Sequence, residues 1–251
     1  MSTLQGRKAL VTGASAGIGA ATARALVAAG AHVTLAARRL DRLQALAAEL
    51  TSAGPGPAEA LALDVRDAGA VMAACEGRAF DLAVANAGLA RGVASLQEGD
   101  PEDWAVMVDT NVKGVLHVVR ATLPAMIAQG SGDLVLLGSV AGRQVYPGGN
   151  VYNATKHGVR ALYEALRLDA AGSGVRFTTV DPGMVATEFS EVRLGDAEAA
   201  ARVYEGMAPL APEDVADAIL YAVSRPPHVN IGEVVLWPTC QASTRDVHRD
   251  S

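Results

Sequence analysis

Cysteine, aromatic residues, long apolar runs and surplus positive charge are all scarce in this 251-residue chain. The two cysteines, Cys75 and Cys240, are too few for a disulfide framework and are expected as free thiols in a reducing compartment. Aromatics make up 4% of residues, so a core must be built from Ala, Val, Leu and Ile. No apolar run reaches the length of a membrane span, and Arg24 breaks the best candidate. A net charge of −6 without a basic stripe argues against nucleic acid as a partner. Gln5, Arg7 and Lys8 interrupt any signal-peptide core, so a cytoplasmic location is expected. His32, His117, His157, His228 and His248 show no ligand spacing, and no metal site is expected.

What is present is one long alternation of strand-like and helix-like segments. Strands are expected at 8–12, 32–37, 60–63, 82–85, 134–137, 176–180 and 234–237. Helices are expected at 17–29, 39–50, 68–75, 101–128, 150–171 and 212–223, with 51–57 as a surface loop. Continuous apolar strands between helices imply an α/β fold, a doubly wound parallel sheet of about seven strands covered on both faces. Half the residues are hydrophobic and nothing reads as a linker, so one domain over 1–251 is expected. Pro101 and Pro212 suit a first helical turn, with Asp100 as a cap.

Two motifs carry chemistry. The first is Thr12-Gly13-Ala14-Ser15-Ala16-Gly17-Ile18-Gly19, set between a strand and an alanine-rich helix. Glycines there allow a tight turn and close approach of a pyrophosphate to a helix N-terminus. The spacing is Gly-x-x-x-Gly-x-Gly rather than Gly-x-Gly-x-x-Gly. The second is Tyr152-Asn153-Ala154-Thr155-Lys156. Positions i and i+4 share a helix face, and an ammonium near a phenol lowers its pKa toward working range. Ser139 follows the apolar run 134–137, at the strand end where open sheets bind ligands. A proton-transfer site for an alcohol or carbonyl is the reading.

Together the turn, Ser139, Tyr152 and Lys156 resemble the short-chain dehydrogenase/reductase family, over nearly the whole chain. The resemblance implies a Rossmann-like fold and further site residues. Asn111 would anchor a water relay beyond Lys156; its alternative is a structural amide. Asn86, Ala87 and Gly88, together with Val65, Pro182, Gly183, Val185 and Thr187, would lie against a nicotinamide cofactor, and Asp64 would meet its adenine; the alternative for Asp64 is a capping or surface role. Lys156 would also hold a ribose, 185–207 would form a substrate lid, and helices 101–128 and 150–171 would build a homotetramer or homodimer.

The second strand ends at Ala37, where an NAD site usually places an acid, and Arg38 and Arg39 follow. Guanidinium groups match a 2′-phosphate, and Ser15 adds a hydroxyl, so NADP is the expected cofactor. Because Ala16 carries no charge, Arg38 is expected to supply most of the discrimination; the alternative for Arg39 is a solvated helix start. The segments 142–152, 182–193, 212–231 and 237–241 resemble bacterial NADP-dependent 3-hydroxy acid dehydrogenases. A small carboxylate substrate needs a cationic clamp, for which Arg143 and Arg193 are candidates, with Tyr146 shaping the pocket. The alternatives are surface arginines, a reductase of another ketone or aldehyde, and a non-catalytic NADP sensor. The polar tail from Arg245 is expected to be mobile or to cover a neighbouring subunit.

Overall fold

Residues 4–250 are described by the computed structural model, and every strand among them joins one sheet. The strands are β1 (Lys8–Thr12), β2 (His32–Ala37), β3 (Ala58–Ala62), β4 (Leu82–Ala85), β5 (Gly132–Leu137), β6 (Val175–Pro182) and β7 (Glu233–Leu236). All pairs are parallel and the order is β3-β2-β1-β4-β5-β6-β7. The expected doubly wound sheet is therefore what forms. Its order reverses between β1 and β4, and the crevice at their C-terminal ends is where such sheets bind ligands.

The helices are α1 (Gly17–Ala28), α2 (Leu40–Ala53), α3 (Ala68–Cys75), α4 (Pro101–Val108), α5 (Gly114–Gln129), α6 (Asn150–Asp169), α7 (Phe189–Leu194), α8 (Ala197–Arg202) and α9 (Pro212–Val223). Alternation along each strand splits the core in two. Val11, Val135 and Leu137 pack with Leu26, Leu43 and Ile219 on one face. Leu10, Leu134 and Leu136 pack with Val118, Met126 and Tyr163 on the other. Most side chains here are small or branched, as the scarcity of aromatics requires.

Three expectations need correction. Residues 51–53 belong to α2 rather than a loop, because Leu50 is buried and the helix runs on until Gly54. The helix expected over 101–128 is interrupted by a π-helical turn, Asp109–Lys113. There the Gly114 N–H reaches back to the Asp109 carbonyl, and a Cβ on Gly114 would lie 2.7 Å from a Val65 methyl. The tail, finally, is not loose: Arg245 Nε donates to the Val145 carbonyl and Asp250 N to the Gly206 carbonyl.

Candidate active site

A cleft of about 610 Å³ opens at the switch point, running from Arg38 and Arg39 past the glycine turn to Tyr146 and Arg193. Gly13 and Gly17 have φ of +68° and +52°, which disfavours any side chain there. A Cβ on Gly13 would sit 2.7 Å from the Asn86 amide nitrogen, and one on Gly17 3.1 Å from Thr187. No side chain caps α1, so its first N–H groups face the cleft. This bare cradle fits a pyrophosphate. Asn86 donates to the Thr12 carbonyl at 2.8 Å, and Thr12 Oγ1 accepts from the N–H groups of Asn86 and Ala87. The turn after β1 and the loop after β4 are thereby fixed to each other.

At the end of the cleft beside β2, Arg39 is the guanidinium that meets Ser15. Its Nε and Nη2 donate to Ser15 Oγ at 3.1 and 3.0 Å. It faces the cleft rather than water alone, against the alternative above. Arg38 also lines the cleft. Two residues missed in the sequence join them. Glu188, at the start of the lid segment, accepts from Arg39 at 2.8 Å and from Arg42 at 2.5 Å. Those bonds hold its carboxyl below the usual range. Asp64 is gripped by Arg66 at 2.6 Å, which likewise lowers its pKa.

At the other end, Tyr152 is buried, with Phe189 tilted against its ring at 5.4 Å between centroids. Lys156 lies 5.9 Å from the Tyr152 ring centre and donates to the Leu137 carbonyl at 2.7 Å. Burial, opposed by the charge of Asp181, lowers the lysine pKa to about 8. The phenol differs from expectation. Burial pushes Tyr152 up, with Tyr146 adding to this, while the Ser139 hydroxyl and the Arg193 charge oppose it. Lys156 Nζ is directed at the Leu137 carbonyl, with no bond to the phenol oxygen. Ser139 Oγ accepts from Ala141 N at 3.1 Å and lies 3.4 Å from the Pro182 carbonyl. Asn111 is 1% exposed, exchanges bonds with both backbone groups of Leu89 and donates to Thr155. A Cβ on Gly88 would be 3.3 Å from its oxygen and 3.7 Å from Lys156 Nζ.

The clamp candidates separate. Arg143 does not line the cleft, because its guanidinium turns behind the serine loop to Asp181 and Glu233. As a substrate clamp it is withdrawn. Arg193 does line the cleft. It stacks 5.3 Å from the Tyr146 ring centre and donates to Tyr146 Oη, Gly148 O and Gly92 O. Gln241 and Thr244 from the tail segment line the cleft too, and Gln241 accepts from Met184 N at 2.9 Å. Only its place in the ending 237–241 pointed to Gln241 in the sequence.

Residues 7–197 match the family model described as short chain dehydrogenase. The chain belongs to that family. Among short-chain dehydrogenases it is 44% identical over 248 residues to the NADP-dependent 3-hydroxy acid dehydrogenase YdfG of Salmonella typhi, covering 96% of this chain and 98% of that one. It is 44% identical over 240 residues to a sulfoacetaldehyde reductase of Chromohalobacter salexigens, covering 92% and 94%. A solved structure described as the closed form of serine dehydrogenase complexed with NADP+ superposes with a TM-score of 0.89 at 39% identity, covering 97% of this chain and all of that one. Among the described residues no cluster suits a metal ion, and no helix is long and apolar enough to cross a membrane.

Proposed function

We propose that this protein is an NADP-dependent oxidoreductase that moves a hydride between the cofactor and a short 3-hydroxy acid or its carbonyl counterpart. One observation carries the substrate class. Arg193 is bonded only to neutral oxygens, and no carboxylate among the described residues pairs with it, so its charge is available in the half of the cleft that holds Tyr152. A small anion beside the reacting carbon suits it. The names of the relatives agree: serine and 3-hydroxy acids carry a carboxylate, and sulfoacetaldehyde a sulfonate.

NADP, when bound, supplies or accepts the hydride. The turn Gly13–Gly19, Ile18 included, holds the pyrophosphate. Ser15, Arg38 and Arg39 hold the 2′-phosphate, and Asp64 and Val65 flank the adenine. Asn86, Ala87, Gly88, Pro182, Gly183, Val185 and Thr187 enclose the nicotinamide half, with Lys156 on its ribose. Tyr152, held as the neutral phenol by burial, gives its proton to the substrate oxygen during reduction and, as the phenolate so formed, takes the hydroxyl proton back in the reverse direction. Ser139 donates a hydrogen bond to the substrate oxygen as charge develops there. Asn111 anchors the water that continues the proton path beyond Lys156, and Tyr146 shapes the pocket. Segment 185–207 closes over the substrate. We assign the protein to the cytoplasm as a homotetramer or homodimer, with the outward apolar side chains Leu116 and Ile127 of α5 supporting contact between copies.

The test is nicotinamide absorbance with NADP and NAD in parallel, against L-serine, L-allo-threonine, 3-hydroxypropionate and a plain secondary alcohol. NADP-dependent turnover of the acids is expected. Arg193→Met should raise KM for the acids roughly tenfold to hundredfold, the worth of a charge-assisted bond, and leave KM for NADP unchanged. Turnover of the plain alcohol alone, unaffected by Arg193→Met, would move the enzyme to the other carbonyl class.

A further inference from the structure

Asp181 is 2% exposed, one residue before the Pro182-Gly183 corner. A buried carboxylate needs partners, and it has three donor contacts. Thr179 Oγ1 donates to Oδ1 at 2.8 Å. Arg143 Nε and Nη2 reach Oδ2 at 2.7 and 2.6 Å. Arg143 ends the short turn that begins at Ser139, so the pair ties that turn to β6. The carboxylate also leans on the chain just ahead of the serine. A Cβ on Gly138 would lie 1.8 Å from Asp181 Oδ1, and Gly138 N donates to the Val180 carbonyl at 2.9 Å. Only glycine leaves room for the acid there.

The chain of contacts continues. Arg143 also binds Glu233 at the start of β7, and Glu233 meets Arg160 of α6 at 3.7 Å. Arg160 lies one helical turn beyond Lys156. Lys156 donates to the Leu137 carbonyl, directly before Gly138. The contacts therefore close a loop through both the serine segment and the lysine helix, and its charged members Asp181, Arg143, Glu233 and Arg160 do not line the cleft. Two acids and two arginines balance. Stability is a weak reason for such an array, since buried ion pairs are often replaceable by apolar groups at no loss. Fixing a geometry is a better one.

We propose that Asp181 and Arg143 are positioning residues, which hold the Gly138–Arg143 segment so that the Ser139 hydroxyl faces the reacting oxygen. The proposal rests on the reading of Ser139 given above. Asp181→Asn keeps the shape but removes the charge, Arg143→Lys keeps the charge but removes the fork, and Arg143→Met removes both. In steady-state assays on the substrates that wild type turns over, Asp181→Asn should lower kcat roughly tenfold to hundredfold, the scale of a small misplacement, with KM values within threefold. Arg143→Lys should retain more activity than Arg143→Met, and the double variant Asp181→Asn, Arg143→Met should be no worse than the poorer single one. Unchanged kcat, or losses that multiply independently, would overturn the proposal. A second arm needs no substrate. Amide hydrogen exchange of NADP-saturated protein should quicken at least tenfold over Gly138–Arg143 in Asp181→Asn, with Gly13–Gly19 unchanged. Equal protection in both proteins would also overturn it, whereas a wild type silent on every substrate with quickened exchange would sink the functional reading and the role of the Ser139 hydroxyl with it, and uphold only the holding of Gly138–Arg143 by Asp181.

Discussion

Lys156 shows how far a single residue can be read from sequence and where the reading stops. Its spacing from Tyr152 put both on one helix face, and both are buried at the cleft. The direction of the electrostatics was not legible, because it depends on how deeply each group is buried. Burial is the leading cause for both: it drives the phenol up and the lysine down to about 8. Arg143 fails for a related reason. Sequence gives a guanidinium near the site but not the acid it turns to, and Asp181 lies 38 residues away. A pH prediction follows for Lys156. Its folded pKa lies below the ordinary 10.5, so between about 8 and 10.5 the unfolded chain holds a proton that the folded chain has released. Stability therefore rises with pH across that window, and the burial cost is full below it. Urea unfolding of wild type against Lys156→Met should show wild type gaining relative to the variant from pH 8 to 10.5, on the order of a few kcal/mol. A constant difference across that range would mean that the buried ammonium is better solvated than its surroundings indicate.

At the scale of elements, β1, β2, β4, α3 and α9 form over the ranges the sequence predicts. Their boundaries are marked by glycine, proline or a change of periodicity. The π-helical turn at Asp109–Lys113 carries no such mark, because α and π backbones accept the same residues. It matters because Asn111 sits inside it, and single π turns often occur at functional positions. The extra residue in the turn lets the Asn111 amide reach the backbone of Leu89 in both directions. Gly114 closes the turn against Val65. Gly114→Ala should destabilise the protein by about 1–3 kcal/mol through overpacking, measurable as a lower urea midpoint. Because Val65 flanks the proposed adenine position, the same variant should weaken NADP binding more than Gly130→Ala does on the exposed end of α5.

At the scale of the whole molecule, the sheet order was legible because right-handed crossovers leave few alternatives once strands and helices alternate. The tail was not, since a polar segment of this kind has no periodicity to read. Its contacts are to groups distant in the chain: Gln144 and Val145 beside the serine turn, and Val203, Glu205 and Gly206 after α8. It therefore joins the two walls of the substrate half. Ending the chain after Ser243 should lower kcat/KM for the hydroxy acid roughly tenfold, with kcat and KM changing together, as loosened lids do. NADP affinity, followed by fluorescence titration, should stay within twofold, because the phosphate end lies across the cleft. The same attachment has a practical side. Asp250 N donates to the Gly206 carbonyl at 2.7 Å, so a fluorescent label placed at Asp250 would hang directly from the 203–206 wall of the pocket. Activity measured on protein labelled there would then report the label as well as the enzyme.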